Sequence, residues 1–386
     1  MIWINKLQKI FPLIVLFFVV GLISFSYYFQ SVSILLLLVG LLFSILGSIN
    51  KSSLSISIVM TSVFFGLALS EEIIYLYNDI NKSNNSYIDP ESDYAKKKYR
   101  HKTWEPNPGS HSSRKISSTG DTIYNVIYSI GKDRFRTHPQ PDREYLSFIS
   151  FFGCSWVFGE GLNDNETLPF YVNTHSVGIK TKNLGYHGFG VNQALEILVS
   201  DTNKLKSNIN FLLTAPWHEI RSACKTSYST DAPKYIINEN DSLVRSGSCP
   251  HPYGDFGIIS KIASRSNLIN LIREIVLSKN TSRDDDFRLY LKIISRMYQI
   301  STDNNQIFVI GFVKADEIYF KGSTYSNKRI FQELQKRSDE VIDLTLANKS
   351  ENLNSQYFIH PEDKHPSALA NYKRAKIIIP FFKKHL

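Results

Sequence analysis

The chain has 386 residues, 43% of them hydrophobic and 20% charged, with a net charge of +9. That balance excludes wholesale disorder, and at roughly 100–200 residues per domain the length allows two units, or one large domain with an appendage. Three cysteines, Cys154, Cys224 and Cys249, are too few for a disulfide framework and lack the spacing of a structural zinc site. Cys224 and Cys249 form the candidate pair for a single bridge; two free thiols are the alternative.

Charge divides the chain. Between Lys9 and Glu71 the only charged residue is Lys51, and the remainder beyond residue 79 carries the whole excess, 41 Lys and Arg against 32 Asp and Glu. This is the pattern of a membrane segment followed by a basic, water-soluble domain. Ile10–Tyr28 and Val32–Ile49 are apolar runs of 19 and 18 residues, and Leu54–Leu69 is a shorter third, diluted by Ser and Thr. About 20 apolar residues span a bilayer core, so three transmembrane helices are expected, at about 10–28, 32–49 and 54–70, within an anchor over 1–78. The first run is too long for a cleaved signal peptide, and a second follows at once. Lys6, Lys9 and Lys51 flank these runs on one side and Glu71 and Glu72 follow the third. Positive loops stay in the cytoplasm, which puts residue 80 onward outside and makes this a multi-pass protein of the cell membrane.

Residues 79–125 are polar and basic, with Asn-Pro-Gly-Ser at 107–110, and read as a linker and irregular segment. The cluster Lys96–Lys98 with Arg100 is either a contact for anionic lipid heads or a solvated charge run. Over 126–386 strands and helices alternate. Tyr145–Phe152, Ile209–Leu213, Ile307–Phe312, Val341–Leu344 and Tyr357–Ile359 read as strands. Val191–Val199, Ile262–Val276, Phe287–Tyr298, Asn327–Asp339 and Ala368–Lys383 read as helices. Such alternation predicts an α/β domain with a parallel sheet covered on both faces, and reactive residues in loops just past the carboxyl ends of strands.

Three loops carry chemistry-bearing residues. The first is Phe151-Phe-Gly-Cys-Ser-Trp-Val-Phe-Gly-Glu-Gly-Leu-Asn-Asp164, in which a strand runs into Gly153 and exposes Ser155. The second is Asn183-Leu-Gly-Tyr-His-Gly188. The third is Pro361-Glu-Asp-Lys-His-Pro366, just before the terminal helix. Together they resemble the blocks of the SGNH/GDSL hydrolase family, in the bacterial branch where Cys replaces the Asp of Gly-Asp-Ser. The resemblance covers roughly residues 130–386. It implies a three-layer, flavodoxin-like domain and an ester-cleaving enzyme without cofactor or metal. Ser155 matches the nucleophile, His365 the base and Asp363 the carboxylate that orients it, with Glu362 the competing carboxylate. Gly188 matches the glycine whose amide, with that of Ser155, forms the oxyanion hole. His360-Pro361 has the same His-Pro form but no preceding carboxylate, and reads as structural.

One block departs from the family. Where it usually has Asn-Asp-Leu-Arg, this chain has His218-Glu-Ile-Arg221. His218 is then either a substitute oxyanion donor or a residue that merely lines the pocket. Cys154 is an alternative nucleophile, since thiolates are intrinsically reactive, but its side chain is expected to point into the sheet. Asp284-Asp285-Asp286 lacks calcium-loop spacing and reads as a solvated helix start. The expected activity is a membrane-anchored serine esterase or deacetylase acting on an extracytoplasmic ester, such as an O-acetylated glycan or a lipid. The expected partners are the bilayer, that substrate and a possible membrane protein, with no nucleic acid. The rival readings are an O-acyltransferase needing a membrane partner, and a non-catalytic binding module.

Overall fold

The computed structural model describes residues 32–49, 54–82, 86–96, 106–205, 207–226, 229, 231–250, 262–263, 265–272, 283–346 and 355–385. The apolar run Ile10–Tyr28, the orienting residues Lys6, Lys9 and Lys51, and most of the basic cluster near residue 98 lie outside these. The chain forms two units, Met1–Asn84 with Pro252–Thr281, and Asn85–His251 with Ser282–Leu386.

In the first unit, α1 (Val32–Ile49) and α2 (Leu54–Lys82) pack antiparallel. Phe43 stacks on Phe64 with ring centroids 5.7 Å apart, and the Thr61 hydroxyl donates to the Gly40 carbonyl at 3.1 Å. α2 continues past the end expected near residue 70, because Glu71 and Glu72 have partners: Glu71 accepts the Asn267 N–H at 2.7 Å, and Ser33 donates to Glu72. Among the described residues one helix, Ser55–Asn78, is long and apolar enough to cross a membrane; Val32–Ile45 is a shorter apolar helix. α2 turns Ile56, Val59, Phe65 and Ile73 outward. Of the expected helix Ile262–Val276, residues 267–272 are described as a continuous helix.

The second unit opens with β1 (Tyr87–Ile88), β2 (Gly109–Ile116) and β3 (Thr122–Ile130), an antiparallel sheet in that order. A linker was expected through residue 125, so the domain begins earlier than its apolar pattern indicates. The reason lies in β2, whose inward residues include His111 and Ser113; a strand with a polar inner face gives no hydrophobic alternation to read.

There follow β4 (Ser147–Gly153), α3 (Ser155–Phe158), α4 (Leu168–His175), β5 (Ile179–Gly185), α5 (Val191–Leu205), β6 (Ile209–Thr214) and α6 (His218–Ser222). A hairpin of β7 (Pro233–Ile237) and β8 (Leu243–Ser248) comes next. Then come α7 (Arg283–Asp303), β9 (Ile307–Phe312), α8 (Asn327–Gln335) and β10 (Glu340–Asp343). A second small hairpin of β11 (Phe358–His360) and β12 (Asp363–Pro366) precedes α9 (Ala368–His385). Asp284–Asp286 lie in the first turn of α7, where acidic residues offset the helix dipole.

The principal sheet has the order β10-β9-β6-β4-β5, with every pairing parallel. This is the flavodoxin-like order, with its switch point between β4 and β6, and ligands bind outside the carboxyl ends of strands at such a point. Every residue of the central β6 is buried. Its alternating side chains feed two cores: Phe211 and Leu213 pack with Phe151, Ile378 and Phe382, while Leu212 packs with Leu195, Tyr290 and Ile294. Helices thus cover both faces. Phe151, Phe211 and Phe382 meet with centroids 4.9–6.0 Å apart, each stabilising the fold by roughly 1.5–3 kcal/mol. The edge strand β5 has no counterpart in the expected elements. Its alternating Lys180 and Lys182 break the apolar run, and edge strands use such charges to resist further pairing.

Cys224 and Cys249 form a disulfide with Cα atoms 5.4 Å apart, and Cys154 is free and buried. The bridge ties the chain after α6 to the end of the β7–β8 hairpin. Closing a loop of this length stabilises by about 3 kcal/mol in the chain-entropy account. Replacing both cysteines by serine should lower the thermal midpoint by several degrees, and a reductant should do the same to the unaltered protein only. Calorimetry with and without reductant checks this.

Candidate active site

β4 delivers the chain to the switch point at Gly153. A Cβ there would stand 2.7 Å from Val157 Cγ2 and 3.0 Å from the Leu213 carbonyl, so only glycine permits the turn. Cys154 follows, buried against Tyr124, Phe158 and Tyr186, and Ser155 opens the single turn of α3. Asn183, near the end of β5, fixes that turn. Its amide donates to the carbonyls of Val157 at 2.8 Å and Phe158 at 3.3 Å, while its Oδ1 accepts the Gly185 N–H.

The β11–β12 hairpin supplies the other groups. Asp363 and His365 stand two residues apart on β12, so they share a face. His365 Nδ1 donates to Asp363 Oδ1 at 2.5 Å, and the same oxygen accepts the His365 backbone N–H at 3.0 Å. With its proton on Nδ1, the neutral ring presents Nε2 as an acceptor. Ser155 Oγ lies 2.9 Å from that nitrogen. Glu362, in the hairpin turn, instead accepts the backbone N–H and hydroxyl of Ser118 at 2.8 and 2.9 Å. His360 ends β11 opposite Asp363, its Nδ1 accepting the Glu362 N–H at 3.2 Å.

Lys115, on β2, donates to Asp363 Oδ2 at 2.9 Å. No motif pointed to it, since it lies in the stretch expected to be irregular. Burial raises the Asp363 pKa, but the hydrogen bond and charge of His365, together with Lys115, outweigh it and hold the carboxyl well below its ordinary range. Burial likewise opposes protonation of His365, yet Glu160 and Asp363 together raise its pKa above the usual imidazole value. Glu160 is the other residue that sequence reasoning passed over. Its Oε2 lies 3.3 Å from His365 Nε2 and 2.6 Å from His187 Nδ1.

Beside Ser155 and His365 opens a cavity of about 630 Å³, walled by Trp156, Trp217, Arg221, Tyr319 and Phe358. The rings of Trp156 and Trp217 are 5.5 Å apart, and the Arg374 guanidinium lies 4.8 Å over Trp156. Neither Gly188 nor His218 is among the lining residues. Gly188 (φ +70) directly follows His187, which holds Glu160. His218 is a correction to both expectations for it. It is 2% exposed, and its Nδ1 lies 3.0 Å from the Thr214 hydroxyl, which lies 3.0 Å from the Tyr290 hydroxyl. Burial and Arg221 push its pKa well down, so the ring is neutral. In the short α6 the residues before and after it, Trp217 and Arg221, reach the cavity, while His218 turns inward to the β6–α7 contact.

The fold and site together define a three-layer α/β domain carrying a Ser–His–Asp constellation at its switch point. No protein-family model matches the chain, and no curated protein is similar to it in sequence. Solved structures resemble it remotely. A member of the lipolytic protein G-D-S-L family from Veillonella parvula DSM 2008 is 11% identical with a TM-score of 0.37, over 61% of this chain and 98% of that one. The psychrotrophic esterase EstA from Pseudoalteromonas sp. is 9% identical with a TM-score of 0.37, over 62% and 97%. A GDSL-like lipase from Bacteroides thetaiotaomicron VPI-5482 is 13% identical with a TM-score of 0.33, over 62% and 89%. At this distance it is the site geometry that bears on function.

The buried position of His218 sets an expectation. His218→Ala should lower the thermal midpoint by several degrees, because it removes a packed ring and leaves the buried Thr214 hydroxyl one partner short. Turnover per folded molecule should fall less than tenfold. A loss of about 10²–10³ in kcat with stability unchanged would instead mark an oxyanion donor.

Proposed function

We propose that this protein is a serine-dependent ester hydrolase of the SGNH type, anchored in a membrane with its second unit outside the cytoplasm. The observation that carries the reading is the line Ser155 Oγ–His365 Nε2–Asp363 Oδ1, with separations of 2.9 Å from hydroxyl to ring and 2.5 Å from ring to carboxylate. Ser155 Oγ attacks the ester carbonyl carbon as its proton passes to His365 Nε2. The C–O π pair moves onto the carbonyl oxygen, and Asp363 stabilises the imidazolium. The backbone N–H of Ser155, at the open end of its turn, and that of Gly188 are the proposed oxyanion donors. Collapse expels the alcohol, which takes the proton from Nε2, and leaves an acyl-serine. Water, deprotonated by the same nitrogen, releases the acid.

Two further observations support the setting. The Cys224–Cys249 bridge fits an oxidising compartment rather than a cytosol. The outward apolar side chains of α2 fit a lipid-facing helix, since water penalises such a surface. The paired Trp156 and Trp217 and the cationic Arg221 at the cavity suit an ester on a sugar or a lipid head, because aromatic faces stack on apolar faces and cations bind the polar parts.

The detergent-solubilised protein should be labelled covalently by a fluorophosphonate, and Ser155→Ala should not be. Asp363→Asn should lower ester turnover by about 10³–10⁴ while Glu362→Gln leaves it nearly unchanged. Ser155-independent labelling, or equal turnover by Asp363→Asn and the unaltered protein, would sink the reading. For the setting, a reporter active only outside the cytoplasm and fused after residue 386 should be active; activity of a cytoplasmic reporter at that junction would reverse the orientation.

A further inference from the structure

Glu160 has no place in the three-residue machinery, yet its carboxylate reaches the reacting nitrogen. Its backbone N–H donates to the Ser155 carbonyl at 3.0 Å, which fixes it one turn beyond the serine. Gly159 (φ +84) and Gly161 (φ +76) flank it, and a Cβ at 161 would stand 2.5 Å from Ile359 Cδ1. The chain therefore reverses on two glycines and aims the side chain back toward β12. His187 Nδ1 grips Oε2 at 2.6 Å, with its ring packed 4.2 Å from that of Phe158. The same oxygen lies 3.3 Å from His365 Nε2, which also faces Ser155 Oγ at 2.9 Å.

The charges around this nitrogen are unequal. Asp363 on β12 is matched by Lys115 from β2 at 2.9 Å. Tyr124 and Tyr128 from β3 are neutral, since burial drives both hydroxyl pKa values up. Glu160 has no Lys or Arg among its ion-pair partners in the described residues; His187 and His365 are the partners there. A buried carboxylate requires a cationic partner or a proton of its own. Burial would raise the Glu160 pKa, but His365 and His187 together pull it down to about 2.

We infer that Glu160, held by His187, is a positioning residue for His365: its carboxylate receives the Nε2–H of the imidazolium formed when Ser155 gives up its proton, and in the resting site it competes with Ser155 for that nitrogen. The inference rests on the reading of Ser155 as nucleophile and His365 as base. When Nε2 carries a proton shared with Glu160, Ser155 has no acceptor, so reactivity appears only as that proton leaves. His187 competes for the same oxygen and thereby limits how strongly Glu160 holds it. Removing Glu160 therefore eases loss of the proton, and removing the His187 donor makes it harder.

The test is the rate of covalent labelling by a fluorophosphonate across pH, on the full-length protein in detergent. Labelling forms the Ser155 Oγ–P bond, expels fluoride and passes the serine proton to His365, so its midpoint follows the ionisation of His365 in the free protein. Glu160→Gln should move the midpoint about 1–3 pH units lower, the range for removing an opposite charge at this distance. It should also lower the alkaline plateau, because the imidazolium loses a stabilising partner. His187→Phe keeps the ring against Phe158 and should move the midpoint upward. A merely structural role would lower all rates and leave both midpoints in place. Ser155-dependent labelling with one midpoint for the unaltered protein and Glu160→Gln overturns the assignment of Glu160 alone. Absence of Ser155-dependent labelling overturns the nucleophile reading and this inference with it. If Glu160→Gln does not fold, His187→Phe decides, and a midpoint unmoved or lowered overturns the proposal.

Discussion

The site depends on keeping one buried carboxylate charged. Asp363 is 2% exposed, and a charge so placed costs several kcal/mol unless paired and hydrogen-bonded. Both oxygens are engaged, one by His365 and the other by Lys115. The three-stranded sheet of β1–β3 is thus part of the site rather than an ornament on the domain. It brings a cation from outside the parallel sheet, and its inner face of Tyr124, Val126 and Tyr128 packs on Phe158 and Tyr186 beside the serine turn. The same demand for partners explains why Glu160 is found against two imidazoles.

Much of the fold is legible because β4, β6 and β9 are short apolar runs buried on both faces, and the helices between them carry one apolar stripe. Strands β2 and β5 escape sequence reasoning because polar residues interrupt their apolar pattern. In β2 the inward side chains are His and Ser; in β5 lysines alternate along an exposed edge. The apolar run of α2 stands out in composition, but its continuation to Lys82 depends on partners for Glu71 and Glu72 that hydropathy does not register.

At the site, the relation of Asp363 to His365 follows from the two-residue repeat of a strand, which puts Glu362 in the turn and on Ser118. Spacing in the sequence could not separate these carboxylates, because it does not say where the strand starts. The inward position of His218 is hidden from the sequence for a related reason. Aligning His218 with a family asparagine fixes its place in the chain, but adjacent helical residues diverge by about 100°, so packing decides which of them meets the cavity. Lys115 carries no motif, and Glu160 sits in the serine loop with no role that spacing assigns; contact across distant elements is what gives them one.

The separation of these partners along the chain also governs when the site can exist. Lys115 precedes Asp363 by 248 residues, and Ser155 precedes His365 by 210. During synthesis the serine turn, its asparagine brace and the aromatic bed are complete long before any base reaches them. The nascent domain lacks its base until the last hairpin docks, so the serine stands without its imidazole partner until residues as far as β12 have been made.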